Sequence, residues 1–305
     1  MIQQYVDKFI ENLPEEFKNN KQPLKIDLVL DGGLFNGSYL VGALYFLKEM
    51  EKRNYVKIYR ISGCSIGSVM GFIYMIDCLD ICEMFYDIML KHLNTHNNLS
   101  AITQLYNLLE HKIPDDICNK INDKFYITYY NVKKGKKIVK KKYRDKKDII
   151  NSIIKSSYIP FFIDGNTLYE NKYIDGIIPY IFKIKQNRKI LHLDLFGYNK
   201  LQNLINIKNE KTNFHRVLTG LLDIHNFYIK QTNTDMCSYV NDWSIMNKSR
   251  NLLKITIETI VLYIVFFIIF IKTYTPIQIT DSIFFKILSK IIYEIYLIVL
   301  HNYCV

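Results

Sequence analysis

The residues best suited to chemistry are Gly63-Cys64-Ser65-Ile66-Gly67, a serine with glycine two positions before and two after it. Val56 to Ile61 ahead of it alternates as a buried strand does, and Ile66 to Ile76 is an apolar run of helical length. A serine on a sharp strand-to-helix turn is a nucleophile elbow. Its backbone is strained, and flanking residues without a Cβ let strand and helix approach closely. The hydroxyl is pushed out of the turn, and the N-terminus of the following helix favours negative charge in front of it. Pentapeptides of this form also arise by chance in turns, so the remaining groups must come from elsewhere in the chain.

An attacking serine needs donors for the oxyanion it creates. Leu24 to Leu30 reads as a buried strand, and Ser38 to about Arg53 as a helix with Leu40, Val41, Leu44 and Leu47 at helical spacing. Between them lies Asp31-Gly32-Gly33-Leu34-Phe35-Asn36-Gly37. A glycine-rich loop between strand and helix aims backbone N–H groups at an anion. A dinucleotide pyrophosphate fits poorly because Leu34 interrupts the glycine pattern, and a P-loop is excluded because no Gly-Lys-Ser/Thr follows. With an elbow a short way downstream, the loop reads as an oxyanion hole.

Composition narrows the partners. The chain has 305 residues, 49% hydrophobic and 23% charged, which suits one large globular domain or two small ones. Its net charge of +11 suggests an anionic partner. Lys133 to Lys147 alone holds ten Lys/Arg against one Asp, turning at Lys134-Gly135. That stretch reads either as a solvated hairpin or as a patch for anionic lipid head groups. Nucleic acid is not expected, because no recognition helix or stacking motif accompanies the charge. The six cysteines (64, 78, 82, 118, 237 and 304) have no metal-ligand spacing and fit a reduced compartment. His92, His96 and His111 are isolated, so neither a metal nor a cofactor is expected.

The rest of the chain supplies elements to position these groups. Met1 to Lys21 reads as an amphipathic helix ending near Pro14 and a linker, without the apolar core of a secretory leader. Ile73 to Leu93 continues helical, Phe125 to Asn131 is a strand, and Asp148 to Ser157 is a helix. Leu168 to Ile174 reads as a strand ending at Asp175-Gly176, Lys189 to Phe196 as another, and Asn199 to Tyr239 as mostly helical. Leu252 to Ile271, charged only at Lys254 and Glu258, approaches the length of a bilayer span. In Ser282 to Leu300 the charges Lys286, Lys290 and Glu294 fall on one face, as in a helix lying in an interface. Lys248, Arg250 and Lys254 against Lys272 place the N-terminal flank in the cytosol. The sequon at Asn36 falls inside the glycine-rich loop, which also argues against a glycosylating lumen. Packing of both apolar segments onto the soluble domain is the alternative.

Three segments together resemble the patatin-like phospholipases: Gly32-Gly33-Leu34-Phe35-Asn36-Gly37, the elbow Gly63 to Gly67, and Asp175-Gly176-Ile177. Val41-Gly42 and Ser156-Ser157-Tyr158-Ile159-Pro160 are softer matches, and the resemblance covers roughly residues 26 to 198. It departs from the family where Leu34 replaces a glycine, Asn36 a basic residue, and Ile177 the small residue after Asp-Gly. The resemblance implies a Ser–Asp dyad, with Ser65 attacking an ester carbonyl and Asp175 taking its proton. Amides of Gly33 to Asn36, with that of Ile66, would hold the oxyanion. The implied substrate is a membrane phospholipid or other acyl-ester lipid on an anionic membrane surface, and no cofactor is implied. Two other readings remain: a lipid-binding protein without turnover, and a triad recruiting His192, His215 or His225. An acyltransferase would use the same acyl-enzyme.

The fold expected is a three-layer α/β/α sandwich with a largely parallel sheet, plus C-terminal hydrophobic helices. The expected divisions are 1–23, an N-terminal helix and linker; 24–198, the catalytic domain; 199–251, a helical extension; and 252–305, membrane-associated helices.

Overall fold

Four parallel strands form the centre of the molecule: β1 (Leu24–Leu30), β2 (Val56–Cys64), β3 (Phe125–Asn131) and, on the far side of β1, a strand at Lys189–Leu193. In this computed structural model the described residues are 2–19, 22–185, 187–201, 203–208, 210, 212–276 and 282–304. Antiparallel strands complete the sheet: β4 (Lys136–Lys140) and β5 (Tyr173–Asp175) both pair with β3. Lys189–Leu193 is β6, and it carries β7 (Cys237–Tyr239) on its outer edge. The order is β4-β3-β2-β1-β6-β7, so the sheet is parallel at its centre and antiparallel at both margins. β1 is buried from Ile26 to Leu30 and β6 from Ile190 to Leu193, on both faces of the sheet.

Helices flank this sheet, giving the expected α/β/α sandwich. They are α1 (Ile2–Glu11), α2 (Gly37–Lys52), α3 (Ile66–Met75), α4 (Cys82–His96), α5 (Lys146–Ser156) and α6 (Phe214–Lys230). On one face Leu28, Leu30, Phe125 and Leu191 join a single core with Leu44, Phe46, Phe72 and Ile153 from the helices. On the other, Val29 and Ile190 meet Phe182. Asp145 caps α5 by accepting from the Asp148 amide at 2.7 Å. Two long helices close the chain, α7 (Ile245–Tyr274) and α8 (Ile283–Tyr303). Among the described residues only 245–271 is long and apolar enough to cross a membrane, with mean hydropathy 2.3.

Several elements differ from expectation for identifiable reasons. The run from Ile73 to Leu93 is broken: α3 ends at Met75, and Asp77 turns the chain with φ 59° before α4 begins. The strand expected at Leu168–Ile174 shrinks to Tyr173–Asp175, because Glu170 and Asn171 take positive φ and fold the preceding residues into a tight turn. Asn199–Tyr239 is not simply a helical extension, since its last residues form β7 and complete the sheet. The apolar helix begins at Ile245, ahead of Leu252, because Ser244 caps it through the Asn247 amide.

Candidate active site

The register of β3 brings the two chemical groups together. Along one edge, Thr128 pairs with Cys64 at the end of β2, and the next residue, Tyr129, pairs with Asp175 at the end of β5. One strand edge thus hosts both partners in succession. Ser65 follows immediately after β2, close enough to Asp175 for its hydroxyl to hold the carboxyl's pKa down. Both residues are buried.

The elbow has the strained geometry its sequence implies. Ser65 sits at φ 50° and ψ −131° at the start of α3. A Cβ on Gly67 would lie 2.4 Å from the Leu30 carbonyl oxygen, and one on Gly63 would lie 2.5 Å from that of Gly67. Strand and helix can approach only because both positions lack a side chain. The Ser65 amide donates to Ser156, to its carbonyl at 3.0 Å and to its hydroxyl at 3.0 Å. Ser156 Oγ in turn donates to the Thr128 carbonyl at 2.6 Å, locking α5, β3 and the elbow into one unit. The Cys64 thiol donates to the Ile177 carbonyl at 3.1 Å, tying the elbow to the Asp-Gly turn. Burial, with Asp175 close by, pushes the Cys64 thiol well above its usual range, so it stays protonated.

Burial raises Asp175 to about 6, the hydroxyl of Ser65 and the amides of Ile177 and Gly176 hold it down, and the Glu258 carboxylate pushes it up. A carboxyl poised there is a better proton acceptor near neutrality than a solvated one. Its Oδ1 accepts from the Ile177 amide at 3.0 Å, and its own amide donates to the Tyr158 carbonyl. This small turn holds Ile177 at φ 53°, an uncommon conformation for a β-branched residue.

The glycine-rich loop passes directly over the elbow, and a Cβ on Gly32 would come 3.1 Å from that of Ser65. Leu34, standing where a glycine is usual, takes φ 47°. The Asn36 amide is spent on the Gly33 carbonyl at 2.9 Å, leaving the loop amides of Gly33 and Leu34 without a partner among the described residues. Asn36 is fully buried, and its side chain points away from the serine. Its amide group donates to the carbonyls of Leu195 and Lys200, and its Oδ1 accepts from Arg216 Nη1 at 2.8 Å. Arg216, with no exposed surface, also donates to the Asn203 and Asn206 carbonyls and to Glu210. A buried cation from α6 thus lies against the loop through Asn36. Nothing in the local sequence marks Arg216; its only signal is a charge in an otherwise buried helical stripe.

At the start of the loop Asp31 accepts from His192 Nε2 at 3.1 Å and from Lys254 Nζ at 2.7 Å. Burial would raise Asp31, but Lys254 and His192 outweigh it and hold the carboxylate well below its usual range. Lys254 also pairs with Asp194 at 2.8 Å. His192 is thus occupied by Asp31, His215 faces Glu210 on the surface, and His225 packs between Phe9 and Phe46. None of the three contacts Ser65 or Asp175.

In front of Ser65 opens a cleft of about 670 Å³, its open mouth included. Its walls are almost wholly apolar, including Val41, Met70, Phe85, Tyr86, Met89 and Ile102. The Ser157 hydroxyl, which also lines it, is buried without a hydrogen-bond partner among the described residues.

A strained serine elbow, a glycine-rich loop and a buried aspartate thus meet around an apolar cleft in an α/β/α sandwich. Residues 28–179, half of the chain, match the profile of the family described as patatin-like phospholipase, and the chain belongs to that family. It is also similar to a mouse (Mus musculus) protein named 1-acylglycerol-3-phosphate O-acyltransferase Pnpla3, 23% identical over 153 residues. That similarity covers 47% of this chain and 37% of the mouse protein. At the level of the family, the activity is that of a lipid acyl hydrolase.

Proposed function

We propose that this protein cleaves fatty-acyl esters through a Ser65–Asp175 dyad and an acyl-enzyme. Ser65 Oγ attacks the ester carbonyl while its proton passes to Asp175. The tetrahedral oxyanion is held by the Gly33 and Leu34 amides, with the Ile66 amide at the start of α3. The carbon–oxygen bond to the alcohol breaks, and Asp175 returns the proton to the departing oxygen. Water then adds to the acyl-enzyme, giving a proton to Asp175, and the bond to Ser65 Oγ breaks as Asp175 returns that proton to it, releasing the fatty acid and free Ser65. The apolar cleft suits the acyl chain, since it offers almost no polar group to anything longer than the ester itself.

The observation that carries this reading is Ser65 in its strained turn next to a buried aspartate raised to about 6, with no histidine beside either among the described residues. The mouse relative's name, an acyltransferase, supports a second reading, in which an alcohol replaces water as the acceptor. Lipid mass spectrometry of mixed liposomes incubated with the parent and with Ser65→Ala tests both. Free fatty acid from the parent alone supports hydrolysis, and newly acylated alcohol from the parent alone supports transfer. Equal turnover by Ser65→Ala would overturn the assignment.

A further inference from the structure

The two charges inside the most apolar helix of the chain do not face outward. Lys254 binds Asp31, which precedes the glycine-rich loop, and Asp194, which follows β6. One turn later Glu258 is buried, pairs with Lys137 at 2.7 Å and lies against the Ile178 amide, just past the Asp175-Gly176-Ile177 turn. Positions four apart share a helix face. That face continues through Leu262, Val265 and Ile269, which pack against Val132 and Ile174. Helix α7 therefore lies across the C-terminal ends of the strands, in contact with the domain from Lys254 to Ile269, about 22 Å at 1.5 Å per residue. Outside this stretch the helix has Ile245 to Leu253 before it and Phe270 to Tyr274 after it, each far short of the ~20 residues a bilayer crossing needs.

The opposite face of the same helix is exposed and apolar: Ile257, Ile260, Tyr263, Ile264, Phe267 and Phe270. Through Lys137 the helix is joined to the basic β3–β4 hairpin, whose tip residues Lys133, Lys134 and Lys136 are exposed and make no ion pair among the described residues. An apolar helix face beside a row of ammonium groups matches an anionic lipid leaflet, with acyl chains for the one and head groups for the other. Tyr263 and Tyr274 add the amphipathic rings favoured at such boundaries.

We propose that α7 is an interfacial strap and does not span the bilayer: its outer face enters an anionic membrane surface, and Lys254 and Glu258 on its inner face hold the two loops that flank Ser65. Docking and site geometry are then carried by one element. The inner-face role rests on the Ser65–Asp175 reading, whereas the membrane role does not. Lys254 and Glu258 are positioning residues, since each acts through a loop and not on the ester.

Flotation of the full chain with vesicles of phosphatidylcholine, with and without phosphatidylserine, tests the outer face. The expected result is at least tenfold stronger binding to the anionic vesicles, weakened by salt, and release of the chain by alkaline carbonate. Ile260→Asp with Phe267→Asp should abolish flotation and leave turnover of a soluble short-chain ester within twofold. Ser65→Ala should float as the parent does, which separates this result from any failure of the catalytic reading. Lys254→Met should lower kcat on the soluble ester at least tenfold with KM unchanged and flotation intact, and Lys254→Arg should recover most of it. Retention after carbonate, or unchanged flotation of the Asp double variant, would overturn the strap. Unchanged kcat in Lys254→Met would overturn the role of its inner face.

Discussion

At Ser65 the chain takes positive φ between two glycines that clear the way for it, and each glycine is two residues from the strain it relieves. At Leu34 the chain also takes positive φ, but the residue there carries a full side chain. What holds the second turn in place comes from far away: Arg216 through Asn36 on one side, Lys254 and His192 through Asp31 on the other. At the elbow the glycines that clear the strain lie within the same pentapeptide, although Ser156 and Ile177 also anchor it. The glycine-rich loop is a tertiary solution, in which buried charge does what a smaller residue would do elsewhere. Local strain relieved locally survives distant mutation, whereas strain held by buried ion pairs fails when any partner is removed.

The sharpest separation between the regions comes from their chemistry. Ser65→Ala and Asp175→Asn should each reduce ester turnover by about 10³-fold or more, equivalent to about 4 kcal/mol of transition-state stabilisation, with unchanged melting temperature. His215→Gln should change neither. Steady-state kinetics on a soluble ester reads all three, and a comparable loss in the histidine variant would restore a triad.

Removing a distant support should damage the loop and leave the elbow alone. Arg216→Leu strands Glu210, the Asn36 carbonyl oxygen and two backbone carbonyls, at an expected cost of about 3 kcal/mol in chemical denaturation. Activity at a temperature where the variant is still folded should fall in kcat more than in KM. Gly67→Ala attacks the local solution instead. Its methyl group would meet the Leu30 and Asp31 carbonyls, and about 2–3 kcal/mol of destabilisation is expected from the same denaturation curves.

The titration of Asp175 supplies a gentler probe. As a base it must be ionised, so turnover should be low below its folded value and rise with pH through about 6. The Glu258 carboxylate pushes that value up, so Glu258→Gln should move the midpoint to lower pH. A midpoint that moved upward would contradict this arrangement. The smallest effect expected is at the loop itself: Leu34→Gly relieves ~1–2 kcal/mol of positive-φ cost but adds unfolded-chain entropy, for a net gain near 0.5 kcal/mol in thermal melts.

These differences also decide what could be read from the chain alone. β1 and β3 match their sequence boundaries residue for residue, because apolar alternation and strand length are local properties. The elbow and the Asp-Gly turn were legible for the same reason. The Tyr173–Asp175 strand was overestimated because Leu168, Tyr169, Tyr173 and Ile174 suit a strand, while Glu170 and Asn171 between them turn the backbone. Cys237–Tyr239 was missed because three residues carry no detectable period, and their pairing depends on β6. Arg216 and the inward roles of Lys254 and Glu258 were invisible for a deeper reason: a buried ion pair has no one-dimensional pattern, and in an apolar helix its charges look like the flank of a span.

The central claim is that Ser65 becomes acylated. Brief incubation of the parent with an activated short-chain ester, acid quench and peptide mapping by mass spectrometry tests it directly. The account predicts an acyl adduct confined to the peptide containing Ser65, absent from Ser65→Ala and strongly diminished in Asp175→Asn. An adduct on another residue, or turnover that persists in Ser65→Ala with no adduct on that peptide, would contradict it.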